Sequence, residues 1–346
     1  MVIFRLEKFV TNMKKILFIA TGGTIASMPT EHGLAPGISP EDLINAMPFV
    51  RKWCHVDAIN VLNLDSTNMQ PEHWLEIALC IKNHYEAYDG FVVAHGTDTM
   101  AYTAAALSYL IQKPDKPIVI TGSQKPAGVD ITDAPKNIAD SFHFCANCDH
   151  GGVFIVFDGK VIIGTRARKV KTRSYDAFES INFPLFALTG DQKIVEYIST
   201  EPLSGEIKFY SDLNPKVFLL KLIPGLEPDI LDYAARFYDA IIIESYGSGG
   251  LPFHGKRDFM STVQKISAQG KIMVLATQAM LEGSDIQLYE PGKRIQANSQ
   301  ILETCDMTVE AAVAKLMWIL PLTKKFDEVK KLFYTPVNYD ICWGAD

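Results

Sequence analysis

"FVVAHGTDTMAYTAAALSYL", residues Phe91–Leu110, decides how this chain folds. It opens as a short apolar run of the kind that forms a buried strand. It closes as a longer apolar run that suits a helix, and Gly96, Thr97 and Asp98 lie at the seam. A hydroxyl and a carboxylate at that seam admit two readings. They cap the helix, or they are displayed where open α/β sheets bind ligands, beyond the carboxyl ends of the strands.

Outward from this stretch, short apolar runs alternate with helical patterns. Strands are expected at Ile16–Ala20, Ala58–Leu64, Gly90–His95, Pro117–Thr121 and Val153–Phe157, and helices at Pro71–Tyr85, Thr99–Gln112 and Asp133–Cys145. Such alternation reads as βαβ units on a parallel sheet with right-handed connections. Residues near 187–215 look irregular and polar. A second α/β set follows, with strands at Val217–Leu222, Ala240–Ser245 and Ile272–Ala276 and helices at Pro228–Phe237, Asp258–Ala268 and Val309–Leu320; Thr308 is the expected N-cap of the last. The fold class is therefore α/β with two domains: a larger N-terminal, mostly parallel sheet flanked by helices over 13–190, a linker over 191–215, and a smaller α/β domain over 216–346. Residues 1–12 read as an extension, with Met13 as a candidate start.

The chain has 346 residues, which suits two domains. Its 48% hydrophobic and 21% charged residues are an ordinary globular composition, and a net charge of −7 argues against nucleic-acid binding through a basic surface. No apolar run reaches the roughly 18 residues of a membrane span. "MKKILFIATGGTIAS", from Met13, mimics a signal peptide, but its apolar core is short and ends in "TGG", which fits a first strand and its turn. Six cysteines in a chain of this size do not make a disulfide framework, so a reduced, cytoplasmic protein is expected.

Three strand ends carry short polar motifs: "TGGTIAS" (Thr21–Ser27), "LDSTNM" (Leu64–Met69) and "HGTDTM" (His95–Met100). Glycine lets the backbone turn sharply and approach a ligand. A helix start offers unpaired N–H groups to an anion or oxyanion. Thr24 and Thr97 are then hydroxyls presented at strand ends, each a nucleophile if a base activates it. Taken singly, a threonine or aspartate at a helix start is a cap, and Gly-Gly-Thr after a strand is a turn.

Together "TGGTIAS" and "HGTDTMAYTAAALSYL" resemble the two signatures of the bacterial-type L-asparaginases. "LDSTNM", "TGSQKP" (Thr121–Pro126), "RARKVK" (Arg166–Lys171) and "SYGSG" (Ser245–Gly249) follow in matching order. The likeness runs from about Met13 past Leu320 and looks most like the cytoplasmic, type I branch.

The resemblance implies a two-domain fold and hydrolysis of the L-asparagine side-chain amide to aspartate and ammonia, with L-glutamine a weaker substrate. It implies no metal, no cofactor, no nucleic-acid or membrane partner, and a homodimer or homotetramer. Thr24 matches the threonine that forms an acyl-enzyme. Thr97, Asp98 and Lys169 match the threonine, aspartate and lysine that complete the site, with Asp98 on the substrate α-amino group. Asp65, Ser66 and Thr67 match the loop that holds its α-carboxylate. On composition alone, Lys169 sits in "TRARKVKTR", which reads as a solvated basic loop.

Departures from the family pattern are Leu34 where many relatives have a tyrosine, Asn68 for a usual acidic residue, and Gly250 for a frequent asparagine. Some relatives without that tyrosine carry another that matches Tyr289, three residues before Gly292. Tyr289 is accordingly a candidate partner of Thr24, against the plainer reading of a loop aromatic.

Other signals are set aside. In "FHFCANCDHG", a helix would send His143 and His150 to one face and Cys145 and Cys148 to nearly the opposite one, so the four cannot share a metal. "GSGG" (Gly247–Gly250) lacks the third glycine of a dinucleotide turn. His95 is read as a packed structural histidine. Two other functions compete with hydrolysis. One is the asparaginase-like subunit of a tRNA-dependent amidotransferase, disfavoured by the short stretch before Met13. The other is a non-catalytic amino-acid sensor on the same fold, disfavoured by the joint presence of Thr24, Thr97, Asp98 and Lys169.

Overall fold

The structure is a computed structural model that describes residues 13–23, 27–30, 33–36, 39–191, 193–198, 205–288 and 300–343. The expected extension 1–12, Thr24 and Tyr289 lie outside the described residues.

Eight strands form the large sheet: β1 Lys15–Gly22, β2 His55–Leu64, β3 Gly90–Ala94, β4 Pro117–Thr121, β5 Gly152–Phe157, β6 Lys160–Ile163, β7 Ala187–Gly190 and β8 Lys193–Glu196. Their order across the sheet is β8-β7-β6-β5-β4-β3-β1-β2. The run from β2 to β5 is parallel; β5–β6, β6–β7 and β7–β8 are antiparallel. Central strands such as β3 (GFVVA) and β4 (PIVIT) are buried along their whole length, which is why they read as unbroken apolar runs. The second sheet is parallel throughout, in the order β9 Val217–Lys221, β10 Ala240–Ser245, β11 Ile272–Thr277 and β12 Ile301–Glu303.

The strand order β2-β1-β3-β4-β5 places a topological switch point between β1 and β3, since the chain leaves β1 to one side and then crosses to the other. Crevices beyond the carboxyl ends of strands at such a point are where open α/β sheets bind ligands. The backbones close that gap tightly. Gly23, at φ +81°, passes so near β3 that a Cβ on it would lie 2.4 Å from Gly96 N. Thr21 Oγ1 donates to Ala94 O at 2.9 Å, tying the two strand ends together.

Helix α1 (Pro71–His84) packs on α2 (Met100–Leu110), and α3 (Ala134–Asn147) on β4 and β5. In the second domain, α4 (Phe259–Ala268) is capped by Asp258 and α5 (Val309–Ile319) by Thr308, whose Oγ1 accepts from Ala311 N at 3.1 Å. Both α2 and α5 are almost wholly buried because they pack on each other between the two sheets, with Tyr109 stacked on Trp318. Such a sandwiched position calls for a largely apolar helix, and the two charges of α5 face opposite charges: Glu310 lies 3.6 Å from Arg168 and Lys315 2.6 Å from Asp340.

Two expectations are corrected. The segment read as irregular and then as a linker supplies strands: β7 pairs with β6, and β8, inside 191–215, extends the large sheet. Its short sequence KIVE is mostly exposed, so no apolar run marked it. The helix expected to reach Gln112 stops at Leu110, and Ile111–Gln112 pairs instead with Lys208–Phe209.

A C-terminal segment joins the domains. Asn338 Nδ2 donates to Ser108 Oγ at 3.0 Å and to Val153 O at 3.2 Å, while Asp340 takes Lys315 Nζ at 2.6 Å and Tyr109 OH at 2.8 Å. Arg166, at the start of the supposedly solvated basic run, is fully buried on Asp306 at 2.9 Å.

Candidate active site

Three strand ends of the large sheet contribute, those of β2, β3 and β4. After β2, Asp65 turns the chain: its Oδ1 accepts from Thr67 N and from Thr67 Oγ1, each at 2.8 Å. That turn delivers Ser66, buried, against the end of β3. A Cβ on Gly96 would fall 2.6 Å from the Ser66 side chain, so only glycine leaves room there. Ser66 Oγ accepts from Asp98 N at 3.3 Å, and Ser66 O accepts from Thr99 Oγ1 at 2.8 Å.

Neither Thr97 nor Asp98 caps α2. The N-cap residue is Thr99, whose hydroxyl is spent on Ser66. Both side chains are thereby free for other work, and the capping reading of the seam is removed.

Lys169 reaches them from a third element. Residues Ala167–Lys169 form a short strand paired antiparallel with Phe178–Ser180, not the loop that composition suggested. Side chains alternate along a strand, and Arg168 and Lys169 do so here. Arg168 Nε lies 3.6 Å from Glu310 of the second domain, while Lys169 Nζ donates to Thr97 Oγ1 at 2.7 Å and to Asp98 Oδ1 at 2.6 Å. The Lys169 side chain is 17% exposed and that of Asp98 56%, so the carboxylate faces solvent and the ammonium is sheltered beneath it. The ensemble is a hydroxyl held by a cation, with an exposed carboxylate beside it, at the switch point of an α/β sheet. It can hold a proton at a threonine oxygen and receive a cationic group at the carboxylate.

His95 is fully buried at the end of β3, with Nδ1 2.6 Å from Gly96 O and Nε2 2.9 Å from Thr103 Oγ1. A carbonyl only accepts, so Nδ1 carries the proton and Thr103 donates to Nε2 while taking Trp74 Nε1–H at 2.9 Å. Burial pushes the His95 pKa down to about 4, so the ring is neutral and structural at neutral pH. The unfolded chain binds this proton first. Stability from this group is therefore complete above about pH 6.5 and lost as pH falls toward 4, by roughly 3 kcal/mol at 1.36 kcal/mol per unit. Urea midpoints at pH 7 and 4.5 check this: a folded His95→Gln variant is expected to show a shallower acid loss than wild type, and an equal loss would refute it.

Two family models cover the chain: "Asparaginase, N-terminal" matches residues 15–202 and "Glutaminase/Asparaginase C-terminal domain" residues 216–333. The chain belongs to the asparaginase family. The L-asparaginase of Thermococcus kodakarensis is 38% identical over 320 residues, covering 92% of this chain and 96% of that protein. The structure of that thermostable enzyme superposes with a TM-score of 0.90 at 36% identity, over 95% of this chain and 100% of the other. L-asparaginase I of Vibrio cholerae gives 0.86 at 28% identity, covering 95% and 99%. A glutamyl-tRNA(Gln) amidotransferase component of Metallosphaera sedula is 33% identical, over 93% of this chain and 75% of that protein.

Against the asparaginase pattern, the structure brings Ser66, Thr97, Asp98 and Lys169 together, with Asp65 and Thr67 forming the adjoining turn. Of the departures, Asn68 ends that turn's short helix, and Gly250 closes a tight loop in which its N–H donates to Tyr246 O at 2.7 Å. The set-aside residues go separate ways: His143 meets the Trp53 ring edge-on, Cys145 Sγ faces Phe91 O and Pro117 O, and Cys148 Sγ bonds the His150 backbone. Among the described residues no cluster of His, Cys, Asp and Glu is arranged to hold a metal, and no helix is long and apolar enough to cross a membrane. The apolar hollow of about 180 Å³ lined by Leu75, Leu79, Phe209 and Tyr210 contains none of the site residues.

Sequence reasoning missed Gln124, whose Oε1 lies 3.3 Å from Thr97 Oγ1. The signal was present. Gln124 stands in the quoted "TGSQKP", just past the carboxyl end of β4, and the strand-end rule that selected three motifs selects this fourth one as well.

Proposed function

We infer that this asparaginase-family chain hydrolyses the side-chain amide of L-asparagine to L-aspartate and ammonia. The observation that carries the reading is the Lys169 ammonium bridging the Thr97 hydroxyl and the Asp98 carboxylate. Thr24 attacks the amide carbon, the C–N bond breaks as nitrogen gains a proton and leaves as ammonia, and water then releases aspartate from the threonine ester. Lys169 holds positive charge beside Thr97 through both steps, and positioned acid–base help of this kind contributes about 10²–10⁴-fold. Asp98 takes the α-amino group, and the Asp65–Thr67 turn with Ser66 takes the α-carboxylate. The chemistry needs a nucleophile, donors and a proton shuttle, all of which side chains supply, so activity without added metal or cofactor is expected.

The test is ammonia release by the purified chain from L-asparagine, without tRNA or metal. Release supports the hydrolase over an amino-acid sensor. No release from free asparagine, with activity appearing only in the presence of charged tRNA, would favour the amidotransferase role named for the M. sedula relative. Asparagine and glutamine differ by one methylene, worth about 1–3 kcal/mol in a pocket, so kcat/KM should favour asparagine by about 10- to 200-fold. A cytoplasmic homodimer or homotetramer completes the reading. Light scattering at the 38.5 kDa of one chain, with full activity, would refute the oligomer.

Tyr289 is proposed to orient Thr24, because Leu34 cannot exchange a proton. With an ordinary pKa near 10, a tyrosine acts as a hydrogen-bond relay more than as a standing base. Tyr289→Phe should lower kcat by about 10²-fold with the fold intact by circular dichroism. Near wild-type kcat would return the role to Lys169 and Thr97.

A further inference from the structure

Gln124 is held at its backbone N–H and at its side-chain nitrogen. Its N–H donates to Asp133 Oδ2 at 2.9 Å, the next N–H, of Lys125, donates to Asp133 Oδ1 at 3.1 Å, and Asn137 Nδ2 steadies that carboxylate at 3.1 Å. Its side-chain Nε2 lies 3.1 Å from Ser174 O and 3.3 Å from Lys171 O. Carbonyl oxygens only accept, so turning the amide over would set Oε1 against two acceptors. The other atom of the side-chain amide, Oε1, therefore faces Thr97 Oγ1 in one sense only. Thr97 has a single proton. An amide oxygen cannot donate, and the Lys169 ammonium cannot accept. One arrangement satisfies all three groups: Thr97 O–H donates to Gln124, and a Thr97 lone pair takes a Lys169 proton.

We propose that Gln124 is a positioning residue that fixes the direction of the Thr97 proton. It keeps that proton turned away from Lys169 and leaves the Thr97 oxygen as the acceptor between Lys169 and the open side of the site. The catalytic consequence rests on the amidohydrolase reading; the hydrogen position does not. The surrounding charges leave this geometry undisturbed. Asp98 pairs with Lys169, Lys171 with Asp176, Lys125 lies over the Tyr175 ring at 5.6 Å, and Asp133 is spent on backbone N–H groups and Asn137.

A neutron map of the deuterated wild-type protein reads the proposal directly. Deuteron density on the line from Thr97 Oγ1 to Gln124 Oε1 carries it; density pointing from Thr97 toward Lys169 overturns it, whether or not asparagine is hydrolysed. Kinetics give the second arm. Gln124→Met keeps the shape without the acceptor and should lower kcat by about 10- to 100-fold with KM nearly unchanged, part of what general acid–base positioning is worth. Gln124→Glu, when protonated, can donate to Ser174 O and still accept from Thr97. When ionised, it sets a negative oxygen against two carbonyls. Its kcat relative to wild type should therefore approach one at low pH and fall as pH rises through the carboxyl pKa, whereas the Gln124→Met ratio stays flat. A Gln124→Met variant within twofold of wild-type kcat, or a Gln124→Glu ratio independent of pH, would overturn the proposal. If either variant fails to fold, the neutron map decides.

Discussion

Thr97→Val and Lys169→Met are each expected to lower kcat by about 10³-fold or more, the scale of losing one member of a catalytic unit. Valine keeps the shape of threonine and removes only the oxygen that lies 2.7 Å from Lys169 Nζ and 3.3 Å from Gln124 Oε1. Methionine keeps most of the length of the lysine stem, whose side chain is 17% exposed, and removes the charge. Because the two groups act through one hydrogen bond, the double variant should be little worse than either single one. Asp98→Asn should behave differently. Asp98 is the exposed member and is proposed to hold the α-amino group, so much of its loss should appear in KM. Steady-state kinetics on asparagine decide this. A Thr97→Val or Lys169→Met enzyme with more than a tenth of wild-type kcat would remove these residues from the mechanism.

Asp340→Ala is expected to cost about 3–5 kcal/mol of folding stability, because it leaves a buried ammonium without its counter-charge. Both members of the Lys315–Asp340 pair are fully buried at 2.6 Å, and Tyr109 OH adds a third group to the same carboxylate. Burial lowers the Lys315 pKa while Asp340 opposes that shift and Arg166 adds to it. Without Asp340 the lysine is driven further toward its neutral form in the folded state. The unfolded chain then binds the proton more tightly, so the deficit should shrink as pH rises toward the ordinary lysine value of 10.5. The surface pair Lys265–Asp232, with side chains 51% and 37% exposed, is the control, and breaking it should cost no more than about 1 kcal/mol. Urea unfolding of the three proteins checks the contrast. A loss below about 1 kcal/mol for Asp340→Ala would show that the C-terminal segment does not hold the domains as described.

The parallel core was legible because its strands are buried on both faces and read as uninterrupted apolar runs. Pro117–Thr121 matches its strand end to end for this reason. The antiparallel edge was not. Ala187–Gly190 and Lys193–Glu196 are short, and KIVE is mostly solvent-facing, so sheet pairing makes them strands where local pattern does not. At the site, Thr97 and Asp98 could be found at the seam, but their release from capping depends on Thr99 bonding to Ser66 O, a contact between segments 33 positions apart. Lys169 was visible only through family resemblance, since its basic neighbourhood looks solvated until pairing with Phe178–Ser180 turns it inward. Arg166 shows the limit of composition most plainly: a charge in a basic run that the second domain and the C-terminal segment bury completely.

Asparagine is proposed to pass through an ester on Thr24, served by Thr97, Asp98 and Lys169. Rapid mixing with L-asparagine, acid quenching and mass analysis of the peptide that carries Thr24 tests it most directly. A transient gain of one aspartyl group on Thr24 is expected, rising with ammonia release and absent from Thr24→Ala. An adduct on Thr97 instead, or full-rate ammonia release by Thr24→Ala, would contradict it.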